Sequence, residues 1–184
     1  LWDIKGKKAG MPIHNMLGTS RSKIPVYSST AWHETPDEYY REAVMFMEKG
    51  WVAHKIHPHG SPKTDIEICK SVKRATGEKV KLMLDVTWAY NYYDALSVGR
   101  EIEELNFYWY EDPLPETDIY SYIKLKNSLT IPIVATEAAP GKFFGMAQWL
   151  ARSTTDMLRG DVGSLGGITP LVKTAHLADG FNMN

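Results

Sequence analysis

From residue 24 onward, short apolar runs alternate with longer stretches that carry helix start and stop signals, and this alternation sharply limits the folds open to the chain. "KIPVYSST" leads to Thr35, Pro36 and Glu38, a capping box with proline at the first helical position, and that helix runs to Gly50. "WVAHKIH" follows, and Ser61 with Pro62 opens a second helix whose Ile66, Cys69 and Val72 share a face before Gly77. "VKLMLDV" precedes a helix with Ala95, Val98, Ile102 and Leu105 at helical spacing, and "NFYWYED" precedes one with Ile119, Tyr122 and Ile123. "IPIVATE" precedes "KFFGMAQWLARS", and "DMLRGDVG" precedes a last helix carrying Leu171, Val172, Ala175 and Ala178. Six strand-helix units result.

Strands joined through helices of this length pair in parallel by right-handed crossovers, so the class is α/β. The runs are mostly apolar along their whole length, as expected of strands covered on both faces. A barrel and an open doubly wound sheet both satisfy this pattern. No glycine-rich phosphate loop follows the first strand, which weighs against a nucleotide-binding open sheet. The expected fold is a TIM-type (β/α) barrel. A complete eight-stranded barrel takes about 250 residues, so six units predict a barrel incomplete at its C-terminus. Residues 1–23 are expected to be a linker or helix entering it, and residues 24–184 the partial barrel.

Hydrophobic residues make up 43% of the 184, enough to bury a real core. The 21 basic and 22 acidic side chains nearly cancel and form no Lys/Arg stripe, so nucleic acid and anionic membrane surfaces are not expected partners. The lone Cys69 excludes an internal disulfide framework and fits a reducing compartment. No apolar run approaches the roughly 18 to 20 residues of a membrane span, and "LWDIKGKKAG" lacks a signal-peptide core. A cytoplasmic protein acting on a small molecule is expected, and exposed loop aromatics suggest a homo-oligomer.

Aligning the units by their strands puts Asp85, Glu111, Glu137 and Asp161 at four consecutive C-terminal strand ends, the first three equally spaced along the chain. In a parallel barrel those ends gather on one face, where the loops build the active site. Carboxylates converging there repel one another and are costly to desolvate unless a cation neutralises them. A hard divalent ion with oxygen ligands, most naturally Mg²⁺, on Asp85, Glu111 and Glu137 is the simplest remedy. Asp112, next to Pro113, reads as a turn or cap residue instead. On the second strand Lys55 and His57 are two apart, so both side chains point to one face. A lysine directed into a barrel needs acids or an anionic substrate to meet. Lys55 is therefore a candidate base or substrate clamp, and His57 a candidate for proton transfer, since imidazoles titrate near neutral pH.

These motifs together resemble the enolase superfamily, in particular its mandelate racemase and muconate lactonizing branch. "LMLDV", "WYEDP" and "IVATE" match the three metal-ligand positions of that family, and "LWDIKGKKAGMPIHNMLG" is similar to its passage from an N-terminal capping domain, absent from this chain, into the barrel. "RGDVGSLGGIT" resembles the sixth-strand motif, whose aspartate, here Asp161, pairs with a histidine on a seventh strand. Family members commonly carry Lys-x-Lys on the second strand, whereas "KIH" puts His57 at the second position. The resemblance implies Mg²⁺-dependent removal of the proton next to a carboxylate through an enediolate, most naturally dehydration of a sugar acid to a 2-keto-3-deoxy acid. Racemisation or epimerisation of a 2-hydroxy acid, and a non-catalytic metal-binding barrel, stay open.

Overall fold

The computed structural model describes residues 1–183. Two short helices, α1 (Trp2–Ala9) and α2 (Ile13–Met16), precede the repeating part. Then follow β1 (Ser28–Ser29), α3 (Pro36–Glu48), β2 (Ala53–Ile56), α4 (Pro62–Thr76), β3 (Lys81–Asp85), α5 (Tyr92–Glu104) and β4 (Trp109–Glu111). The described chain continues with α6 (Ile119–Lys126), β5 (Ile133–Ala135), α7 (Lys142–Ala151), β6 (Met157–Leu158) and α8 (Ile168–Gly180).

The six strands form one sheet in the order β1-β2-β3-β4-β5-β6, every neighbouring pair parallel. Spatial order equals chain order throughout. A doubly wound sheet reverses its strand order part-way across, whereas a barrel winds in one direction, so the topology is that of a (β/α) barrel wall. No helix among the described residues is long and apolar enough to cross a membrane.

Helix limits follow local chemistry. Glu38 accepts the Thr35 backbone N–H at 2.9 Å, closing the capping box that starts α3. Asn91 caps α5 by accepting the N–H groups of Tyr93 and Asp94 at 2.9 and 3.1 Å, and α4 stops at Gly77 with φ 57°. Ile68, Cys69 and Val72 of α4 and Ala95, Val98 and Ile102 of α5 then pack against Ile56, Leu82, Leu84 and Tyr110 in one core between sheet and helices. Burial of these side chains is the main favourable contribution to the fold.

Alternation along the strands sets the other face. Leu82 and Leu84 belong to that core, while Met83 is buried but lies outside it. Register places Lys55 beside Met83, Met83 beside Trp109, and Asp85 beside Glu111. The barrel-inward face therefore carries Lys55, Met83, Asp85, Trp109 and Glu111. The strand expected over "KIPVYSST" is reduced to Ser28 and Ser29, with Ile24 and Val26 exposed at 73% and 66%. As an edge of the sheet, β1 has β2 as its only partner among the described residues, and ladder bonds on one side hold fewer residues.

His54 points the opposite way to Lys55, into the helix layer, where it is fully buried. Its Nδ1 lies 2.8 Å from Ser28 Oγ, and its ring packs against Phe46. Burial pushes its pKa down from 6.5 to about 4. A histidine whose folded pKa is depressed binds a proton more readily when unfolded. Its contribution is thus complete above pH 6.5 and is lost as pH falls towards 4. Urea titrations across that range should show a loss of up to about 3 kcal/mol attributable to this group, and His54→Gln should flatten that part of the slope.

Candidate active site

The inward face ends in a charge cluster assembled from β2, β3, β4 and β6. Lys55 is buried, and its Nζ donates to Asp85 Oδ2 at 2.9 Å and to Glu111 Oε1 at 2.8 Å. His57 Nε2 lies 3.1 Å from the same Asp85 oxygen. Arg159 reaches in from the end of β6, hydrogen-bonding Glu111 through Nη1 and Glu137 through Nη2, the latter at 2.6 Å. Trp109 Nε1 donates to the second Glu111 oxygen at 2.9 Å. Below this layer Tyr27 stands edge-on to Trp109 and faces the Lys55 ammonium. Tyr27, Trp109, Glu111, Val134, Met157 and Arg159 line a cavity of about 220 Å³.

Electrostatics follow from this packing. Burial opposes ionisation of Asp85, but His57 and Lys55 outweigh it and hold the carboxyl well below the usual range. Burial likewise disfavours charge on Lys55 and Arg159, and the surrounding carboxylates overcome it, raising both. Asp112 behaves differently. It is 0% exposed, neither of its oxygens has a hydrogen-bond partner, and burial together with Glu116 and Asp85 pushes its pKa up to about 8.

The backbone at these strand ends is held in an uncommon conformation. Thr87 and Trp88 after Asp85, and Asp112 after Glu111, all have left-handed φ values, 50°, 63° and 45°, and Thr136 before Glu137 has φ 87°. Each costs on the order of 1–3 kcal/mol for a residue with a side chain. What the turn at Thr87 achieves is visible: its N–H returns to Asp85 Oδ1 at 3.1 Å and orients that carboxylate. The His57 backbone is pinned on both sides, its N–H donating to Thr30 Oγ1 at 3.0 Å and its C=O accepting from Tyr39 at 2.7 Å. Beyond it, Gly60 has φ +81° and packs where an added Cβ would meet Ala89 at 2.5 Å, so the loops after β2 and β3 close on each other.

Lys55, His57, Asp85 and Glu111 stand together as the sequence pattern predicts. Glu137 adjoins them only through Arg159, its side chain 30% exposed, because β5 ends at Ala135 and Glu137 lies beyond the turn at Thr136. Among the described residues, the acids with ligand atoms within 4.8 Å of one another are Asp85, Glu111 and Asp112. The reading of Asp112 as a turn cap is therefore corrected: it is an interior carboxylate. Asp161 does not join the cluster. It is exposed and accepts the Ser164 N–H at 2.7 Å, which lowers its pKa. Sequence reasoning missed Arg159, although it sits two residues beyond Met157 at a strand end, the alternation that picked out Lys55.

A family model described as enolase C-terminal domain-like matches residues 38–184. The chain belongs to this family. Its relatives include the L-talarate/galactarate dehydratase of Salmonella typhimurium, 30% identical over 97% of this chain and 45% of the relative. The arabinonate dehydratase of Saccharolobus solfataricus is 28% identical over 97% of this chain and 48% of the relative. Among solved structures, a D-glucarate dehydratase from Agrobacterium tumefaciens complexed with magnesium superposes with TM-score 0.94 at 35% identity, over 100% of this chain and 51% of that one. The chain thus spans about half the length of the relatives it matches. For this family the donor set is chemically apt for a hard divalent cation: buried carboxylate oxygens, two of them on Asp112 without a hydrogen-bond partner.

Removing one side of the buried pairing should be costly. Lys55→Met leaves Asp85 and Glu111 short of a partner and should destabilise the protein by about 3–5 kcal/mol without added divalent cation. Adding Asp85→Asn to Lys55→Met should recover part of that loss in chemical denaturation. A Lys55→Met protein as stable as wild type would show that the pairing contributes nothing.

Proposed function

We propose that the protein removes the proton next to the carboxylate of a sugar acid, with a divalent cation, most naturally Mg²⁺, and completes a dehydration to a 2-keto-3-deoxy acid. The observation that carries this reading is the convergence of an ammonium and an imidazole, Lys55 and His57, on Asp85 beside Glu111. The relatives named as dehydratases of galactarate, arabinonate and glucarate support it.

Asp85 and Glu111 would hold the cation, with Glu137 or Asp112 as third acid. When bound, such a cation supplies the positive charge that stabilises negative charge developing on the substrate carboxylate. His57 is assigned to take the α-proton, with its backbone pinned by Thr30 and Tyr39 and its ring held by Asp85. Lys55 bridges Asp85 and Glu111, offsetting their repulsion, and is the second candidate for that proton. Overall the α C–H and the neighbouring C–OH bonds break, water leaves, and the resulting enol becomes the keto acid. Asp161, exposed past β6, is assigned to orient a further proton-transfer group that helps the hydroxyl depart. Tyr27 and Trp109 line the cavity beside these groups.

The test is proton NMR in D₂O with Mg²⁺ and a panel of aldonates, aldarates and simple 2-hydroxy acids. Loss of the α-proton together with a deoxy-keto product is the expected result, and His57→Asn should slow it by at least about 100-fold. Exchange yielding only the opposite epimer would replace dehydration by epimerisation. No exchange anywhere in the panel, with Mg²⁺ still raising the melting temperature, would leave a metal-binding barrel without this chemistry.

A further inference from the structure

Lys55 and Arg159 both occupy oxygens of the cation site described above, Lys55 those of Asp85 and Glu111 and Arg159 a wider set. Arg159 Nη1 bonds Glu111 Oε1 and lies 3.7 Å from both Asp85 Oδ2 and Asp112 Oδ2, while Nη2 is 2.6 Å from Glu137 Oε1. A single guanidinium therefore faces every carboxylate considered as a ligand. Its planar fork suits the bridging of two carboxylates. A divalent cation would compete for the same oxygen lone pairs and repel the guanidinium at short range.

The two resident cations differ in their freedom to move. Lys55 has a side chain 6% exposed and bonded to both Asp85 and Glu111, so it is enclosed by the acids it neutralises. Arg159 has a side chain 27% exposed, lies just past the last described strand, and lines the cavity with Met157 and Val134. Of the two, Arg159 can yield.

We propose that Arg159 is a displaceable counter-ion, holding Glu111 and Glu137 together until a divalent cation binds and then leaving them. This rests on the reading of the carboxylates as a divalent-cation site. Cation affinity is consequently set below what the acids alone would give. The released guanidinium is left as a free donor fork beside the site, suited to an anionic group of the substrate.

Calorimetric titration of MgCl₂ into the wild-type protein, Arg159→Met and Arg159→Lys tests this without measuring turnover. Arg159→Met is expected to bind Mg²⁺ about tenfold tighter than wild type, with Arg159→Lys between them. Mg²⁺ should also raise the melting temperature more in Arg159→Met, because its carboxylates lack compensation until the cation arrives. Should Arg159→Met fail to fold without Mg²⁺, Arg159→Lys keeps the charge without the fork and must still bind more tightly than wild type. Folded variants that bind Mg²⁺ equally or more weakly would overturn the proposal and make Arg159 a support for Glu137. A wild-type protein that binds no Mg²⁺ would overturn the cation site and this inference with it.

Discussion

Everything at the strand ends depends on how buried carboxylates are compensated. Asp85 and Glu111 sit side by side in register, both nearly inaccessible to water, and two such charges in a low-dielectric interior repel strongly. Lys55 bridges them from β2 and Arg159 engages Glu111 from the far end of the sheet, while Lys55 and His57 keep Asp85 ionised despite its burial. Asp112 stands apart as the interior acid lacking a hydrogen-bond partner, and burial with Glu116 nearby drives it towards its protonated form. The site therefore combines Asp85, held charged, with Asp112, held close to neutral at physiological pH.

The fold exists to aim these groups. Parallel register alone brings Asp85 and Glu111 together, and alternation alone sends Lys55 inward and His54 into the helix layer. Left-handed backbone at Thr87, Trp88, Asp112 and Thr136 then sharpens the aim at three successive strand ends. Such conformations persist only where surrounding structure enforces them, and their concentration here marks the face on which chemistry is expected. Stability is supplied elsewhere, by the core between α4, α5 and the outward faces of the strands.

Much of this was legible in the sequence because the relevant signals are local. The capping box at Thr35, Pro36 and Glu38 and the stop at Gly77 set helix limits that the structure reproduces, and Ala95, Val98 and Ile102 turn out to be the buried face of α5. Period-two alternation found Lys55. Strand lengths were less legible: an apolar run such as "KIPVYSST" looks buried, but whether Ile24 and Val26 are covered depends on a neighbouring strand. Asp112 was hidden because an acid before proline ordinarily marks a turn, and its burial is a tertiary fact. Arg159 was hidden because "RGDVG" reads as a loop and no spacing rule announces a partner 48 residues away at Glu111.

The most direct measurement is anomalous diffraction from crystals of the protein equilibrated with Mn²⁺. One peak about 2.1 Å from oxygens of Asp85 and Glu111, with the Arg159 guanidinium withdrawn, is the expected result, and its third acid would distinguish Glu137 from Asp112. An absence of any peak between those two residues, with Arg159 still bridging Glu111 and Glu137, would contradict the assignment of this cluster as a divalent-cation site.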